Sequence, residues 1–202
     1  MPELEFHFDF GSPNAYLAHQ VIPVIESRLD AKFRYVPVLL GGVFKATGNA
    51  SPSESLRGIK NKPDYALLET KRFIRDWNIA GYRSNPYFPV NTLTIMRGAV
   101  YAKKAGCFEI YVDEVYRAMW QEGKKMDDVD VIHSTLTDAG LPVNEILEGI
   151  NKAEIKQELI RNTENSVARG NFGSPAFFVG EEMFFGKDKL HEVQAEYLRQ
   201  SA

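Results

Sequence analysis

Strand character in this chain is confined to its two ends, and that constrains its fold more than any other feature. Leu4, Phe6, Phe8 and Phe10 alternate with Glu5, His7 and Asp9, the period-two pattern of a half-buried strand with His7 on its polar face. Gly11 breaks the alternation. Ser12 followed by Pro13 then reads as a helix start, with a hydroxyl at the cap and proline at the first helical position. Tyr16, Leu17, Val21, Val24, Ile25 and Leu29 carry helical spacing to about Arg28, with a kink expected at Pro23. "KFRYVPVLL" reads as a second strand, which makes a parallel strand–helix–strand unit.

From Val43 to about Gly170 the pattern is almost purely helical. "GGVFKATGNASPSESLRG" holds at most a short helix. "PDYALLETKRFIRDWNIA", "NTLTIMRGAVYAKKAG", "FEIYVDEVYRAMWQEG", "VDVIHSTLTDAGLP" and "VNEILEGINKAEIKQELIRNTENSVARG" supply the rest, the second of them ended by Gly106. Strand character returns only in "AFFVGEEMFFG", a hairpin turning at Gly180 and Glu181, before a closing helix in "KDKLHEVQAEYLRQS". The order is therefore β-α-β, a helical insertion, then β-β-α. This is an α/β plan: a thioredoxin-like domain from residues 1–42 and 171–202, split by an inserted helical domain over 43–170.

In such a domain the reactive group stands where the first strand meets the first helix. The junction "FDFGSPNAYLA" resembles that of the DsbA-type thiol proteins, keeping Phe8, Phe10, Pro13 and Tyr16. Ser12 and Ala15 occupy the places of the two cysteines, so disulfide exchange, which needs a thiolate and a resolving thiol, is excluded. Serine in the first position marks the glutathione-using branch, the kappa-class glutathione transferases and the 2-hydroxychromene-2-carboxylate isomerases. The resemblance spans the chain through "LLGGVFKATGN", "NKPDYALLETKRFIRDW", "PVNTLTIMRGA", "MWQEG" and "VARGNFGSPAFFVGEEMFFGKDKL". The isomerases fit better, by "PVNTL" and the "EEMFFG" hairpin.

The resemblance implies glutathione-dependent isomerisation of 2-hydroxychromene-2-carboxylate to trans-o-hydroxybenzylidenepyruvate, a step in bacterial naphthalene breakdown. Thiolate addition, ring opening, bond rotation and elimination would return the glutathione. Ser12 would stabilise the borrowed thiolate, since no general base or nucleophile elbow accompanies it. Ser12, Pro13 and Asn14 at the junction, Ser174 before a cis-Pro175, and Asn49, Lys62, Lys187 and Asp188 are the implied glutathione contacts. Lys60 competes with Lys62 for that role. Tyr65, Asn91 and Arg97 are the implied substrate contacts. Each has a plainer reading: helix cap for Ser12 and Asn91, turn for Pro175, solvated charge for Lys62 and Arg97, N-terminal helix acid for Asp188.

Composition narrows the partners. A net charge of -3 argues against general nucleic-acid binding, and a single cysteine, Cys107, excludes an internal disulfide. Of the four histidines, His19, His133 and His191 read as surface residues, and the four share no ligand spacing, so no metal site is expected. "MPELEFHFDF" lacks the basic and apolar regions of a signal peptide, and no run approaches a membrane span; a cytoplasmic location is expected. The family implies a homodimer. Two other readings stay open: a transferase or peroxidase consuming glutathione on another electrophile, and a non-catalytic binding module, which would show an exposed apolar patch instead of a pocket.

Overall fold

A computed structural model of the protein describes residues 1–55 and 57–202. Strand β1 (Leu4–Phe8) leads through a turn into α1 (Pro13–Leu29), and β2 (Phe33–Pro37) returns parallel to β1. Helices α2 (Leu40–Thr47), α3 (Pro52–Ser55), α4 (Lys62–Asp76), α5 (Leu93–Ala105) and α6 (Phe108–Arg117) follow. A π-helical turn, Ala118–Glu122, continues α6, and then come α7 (Val129–Asp138), α8 (Val143–Gly149) and α9 (Ala153–Ala168). Strands β3 (Ala176–Val179) and β4 (Glu182–Phe185), a 3-10 turn (Lys187–Lys189) and α10 (Leu190–Ser201) close the chain. The sheet order is β2-β1-β3-β4, with β3 antiparallel to both neighbours. The strands lie at the two ends of the chain, as the sequence pattern predicts.

Helix α1 starts where the Ser-Pro signal puts it. Ser12 is the extended cap, its Oγ accepting the Ala15 N–H at 3.2 Å, and Pro13 takes the position where a missing amide costs nothing. The helix runs past Pro23 to Leu29 and buries Tyr16, Leu17, Val21, Ile22 and Ile25. Fully burying an aliphatic side chain contributes about 1.5–3 kcal/mol, so this face holds the helix to the sheet. One apolar cluster runs from Phe6, Phe8 and Leu17 through Ile95, Tyr111 and Trp120 to Leu159 and Leu190, so strands and helices share a continuous core.

Two local expectations change, and one helical segment is resolved into two. Leu39 and Leu40, read as strand, lie instead at the start of α2: Leu39 is its cap residue and Leu40 its first turn. Helix therefore begins three residues before the boundary drawn at Val43. The reason is a cap from outside: the Asp9 carboxylate accepts the Leu40 N–H at 2.7 Å. The segment 143–170 is two helices, α8 and α9, broken at Ile150–Lys152. And β1 is not half-buried. It is an inner strand, and Glu5, His7 and Asp9 are only 4, 2 and 0% exposed.

The polar face of β1 is covered by the end of α9 and the residues after it. His7 Nδ1 lies 2.7 Å from Ser166 Oγ and His7 Nε2 lies 2.7 Å from Glu5 Oε2. Asn171 Nδ2 donates to Ser166 Oγ at 2.8 Å, which leaves the serine proton for His7 Nδ1 and the Nε2 proton for Glu5. Arg169 donates to both Glu5 oxygens at 2.9 and 3.0 Å and lies 3.9 Å above the Phe178 ring. Every member of this buried network has a partner. His19 is also packed rather than superficial, between Tyr35 Oη at 2.8 Å and Asp113 at 3.0 Å, because its ring stacks on Tyr116.

Candidate active site

The strand–helix junction is organised by Asp9. One carboxylate oxygen accepts the Gly11 N–H at 2.8 Å; the other accepts Leu40 N–H at 2.7 Å and the Thr92 hydroxyl at 3.1 Å. Three elements, the turn before α1, the start of α2 and the start of α5, thus converge on one buried acid. Burial raises its carboxyl above the ordinary value, against the pull of these donors. Gly11 permits the approach: a Cβ there would stand 3.1 Å from Thr92 Cγ2 and 3.2 Å from Asp9 Oδ1. The pattern of the strand marks Asp9 only as a polar position, so its role is invisible without α2 and α5.

Ser12 is 5% exposed. Its N–H donates to Asp9 O at 3.1 Å and its hydroxyl donates to Ser174 O at 2.8 Å. Ser174 Oγ in turn accepts the Asp9 N–H at 3.1 Å. The Ser174–Pro175 peptide is cis, as the fold resemblance predicts; a second cis bond joins Phe88 and Pro89. Pro13 and Asn14 fill the first turn of α1, where a helix leaves its amides without internal acceptors. Asn49 also reaches this segment, its Nδ2 donating to Phe172 O at 2.7 Å. Ser12, Pro13, Asn14, Asn49, Ser174 and Pro175 therefore form one neighbourhood.

Tyr65, Lys187 and Asp188 come together elsewhere, in a cleft of about 710 Å³ between α1, α4 and the start of α10, which also takes in Arg28, Arg72 and Trp77. Lys187 is 5% exposed; its Nζ bonds Asp188 at 3.0 and 3.1 Å and stands 5.1 Å over the Phe73 ring. Lys62 is exposed at the first residue of α4, outside this cleft, and Lys60 is exposed too. Asn91 stands just before α5, whose cap residue is Thr92, and its Oδ1 accepts Leu93 N–H at 3.1 Å. Arg97 lines a separate groove between α2, α5 and α9.

The π turn links the helical block to the junction. Trp120 Nε1 donates to Phe10 O at 2.8 Å, and Gln121 Nε2 donates to Tyr16 Oη at 2.9 Å. Two successive side chains of the π turn thus tie it to the junction, one to the residues before α1 and one to α1 itself. Tyr82 packs on both Tyr16 and Trp120. Cys107, at the start of α6, stands apart from the junction, and burial raises its thiol, so it is no substitute nucleophile.

A thioredoxin-type junction with a hydroxyl at the reactive position and a cis-proline opposite defines a class: proteins of the thiol-exchange fold that carry no thiol of their own at the site. The chain belongs to the DSBA-like thioredoxin domain family, whose model matches residues 3–198. It is 26% identical to the 2-hydroxychromene-2-carboxylate isomerase of Sphingobium xenophagum, over 96% of this chain and 97% of that protein. The glutathione S-transferase kappa 1 of Caenorhabditis elegans is 23% identical, over 99% of this chain and 92% of its own. Among solved structures, that of a 2-hydroxychromene-2-carboxylate isomerase superposes with a TM-score of 0.82 at 26% identity, covering 98% of this chain and 95% of that one. Among the described residues, no helix is long and apolar enough to cross a membrane.

Proposed function

We propose that the protein is a glutathione-dependent isomerase of an aromatic 2-hydroxychromene-type carboxylate, with Ser12 as the group that holds the thiol. The observation that carries this reading is the Ser12 hydroxyl, at the N-terminus of α1 and 2.8 Å from the carbonyl before the cis-proline. A hydroxyl is a rotor, so its proton is free to turn from Ser174 O to a thiolate while the same oxygen continues to cap Ala15. Lowering a thiol from about 8.5 to about 6.5 requires roughly 2.7 kcal/mol. A helix N-terminus contributes about 0.3–1 kcal/mol, up to about 2 in favourable sites. A hydrogen bond to a charged group adds about 1.5–3 kcal/mol. The two together meet the requirement; the helix alone falls short.

The groups a tripeptide with two carboxylates and one ammonium calls for are present in two places, around Ser12 and in the cleft beside Asp188, and the reading requires the ligand to reach from one to the other. Asp188 is a carboxylate for the ammonium, with Lys187 orienting it rather than meeting the ligand. Asn14 N–H and Lys62 are donors for carboxylates, Ser174 offers backbone for strand-like pairing, and Asn49 holds that backbone through Phe172. When bound, glutathione would supply a thiolate that adds to the substrate and leaves it again, so ring opening and bond rotation proceed without net loss of thiol. Asn91 would stand on the substrate side, whereas Tyr65 shares the cleft of Asp188. Kappa-class relatives favour a second reading, transfer of glutathione to an electrophile. Thiol accounting during turnover separates them: an isomerase leaves the pool constant, a transferase depletes it in step with product. Under saturating glutathione, Ser12→Ala should lower kcat by about tenfold or more, the cost of one charge-assisted hydrogen bond. Unchanged kcat in this variant would remove Ser12 from the reaction. We further propose a cytoplasmic location and a homodimer; sedimentation tests the latter.

A further inference from the structure

The groove that holds Arg97 has a composition unlike the rest of the molecule. The chain carries a net charge of -3, yet three cations, Lys45, Arg97 and Lys156, rim this one cavity against a single carboxylate, Glu164. Arg97 and Lys156 are half-buried. None of the three has an ion-pair or hydrogen-bond partner among the described residues. Elsewhere half-buried cations are matched: Arg117 meets Glu114 and Glu122, and Arg169 meets Glu5. Partly desolvated cations left unmatched lose hydration without compensation, and an anion restores the balance.

The floor between them is apolar. Leu39, the cap residue of α2, and Leu159 and Ile160 from α9 line a volume of about 360 Å³, at the small end of ligand pockets, which run roughly 300–1,000 Å³. Ile160 leaves 45% of its surface to solvent there. The floor is held rigid by Thr163, whose Oγ1 accepts the Leu39 N–H at 2.9 Å and donates to Leu159 O at 2.7 Å. Ser12, Ser174, Pro175, Lys187 and Asp188 take no part in this cavity.

We propose that this groove is a second binding site, for a small amphipathic monocarboxylate: its carboxylate between Arg97, Lys156 and Lys45, its apolar body on Leu39, Leu159 and Ile160. Charge complementarity decides the ligand class, since an uncharged apolar guest would leave the cations unmatched and a cation would be repelled. The inference does not depend on the glutathione reading of Ser12, and the two are measured separately.

The test is calorimetric titration of the intact protein with 2-naphthoate and with octanoate, which separate aryl from alkyl bodies, and with neutral 2-naphthalenemethanol. At least one acid should bind saturably, and the alcohol at least about tenfold more weakly than the aryl acid if that is the one bound. Arg97→Gln and Lys156→Gln should each weaken binding by about tenfold, the scale of one charge-assisted hydrogen bond. Ile160→Glu, on an exposed helix position, should abolish it through repulsion, with thermal melting to show that the variant is folded. Saturating reduced glutathione should leave the acid's affinity unchanged. No saturable binding of either acid, binding indifferent to the charge variants, or displacement by glutathione would each overturn the proposal.

Discussion

At the scale of single residues, Asp9 matters as much as Ser12. It caps α2 from the turn after β1, draws in Thr92 and fixes the Gly11 amide one peptide before Ser12. Asp9→Asn presents an amide group to at least one donor that already needs an acceptor. The expected cost is about 1–3 kcal/mol for the buried donor left unsatisfied. Denaturant unfolding measures it, and because the junction loosens, kcat should fall with it; a variant as stable as the parent would contradict the role. Ser12, by contrast, was legible from two adjacent letters, Ser-Pro after a strand, because capping is local. Asp9 was not, since its three donors come from positions 11, 40 and 92 and only the fold brings them together.

At the scale of elements, what could be read were pieces whose ends are marked by their own residues. The Ser-Pro start of α1, the stop of α5 at Gly106 and the hairpin at Gly180–Glu181 are of this kind. What could not be read were ends set by distant groups, such as α2 at Leu40, and the π turn at Ala118–Glu122, whose geometry depends on what it packs against. Helix packing shows the same dependence. A Cβ at Gly98 on α5 would stand 2.0 Å from the Tyr111 hydroxyl of α6, which donates to Ile95 O at 2.9 Å. The α5–α6 pair therefore closes only with glycine. Gly98→Ala should destabilise by about 1–3 kcal/mol through overpacking, lowering Tm by about 2–4 °C per kcal/mol. An unchanged Tm in a thermal scan would show that the two helices have room to part.

At the scale of the whole molecule, the network around His7 joins the two ends of the chain and sets its response to acid. Burial pushes the His7 imidazole below its ordinary value, outweighing the pull of Glu5. For Glu5, burial works to raise the carboxyl, but hydrogen bonds from His7 and Arg169 and the charges of His7 and Arg34 override it and hold it at about 2. The signs agree. His7, neutral near pH 7 in the folded protein and protonated only in acid, contributes stability above its unfolded value that is lost as pH falls below about 6.5. Glu5 contributes stability above about 4.5 that is lost as pH falls toward about 2. Unfolding free energy should therefore decline in two stages below about pH 6.5. His7→Gln should be less stable at pH 7 and flatten the first stage; a slope between pH 6.5 and 5 identical to the parent's would remove His7 from the account.

On the function proposed above, Ser12 and its neighbours hold the thiol of glutathione. The most direct measurement is calorimetric titration of the purified protein with reduced glutathione, at pH values either side of 7. Saturable binding is predicted, with proton release that grows as the bound thiol ionises below its free value of about 8.5, and with that release diminished in Ser12→Ala. Absence of saturable binding up to several millimolar, or proton release equal in both proteins, would contradict it.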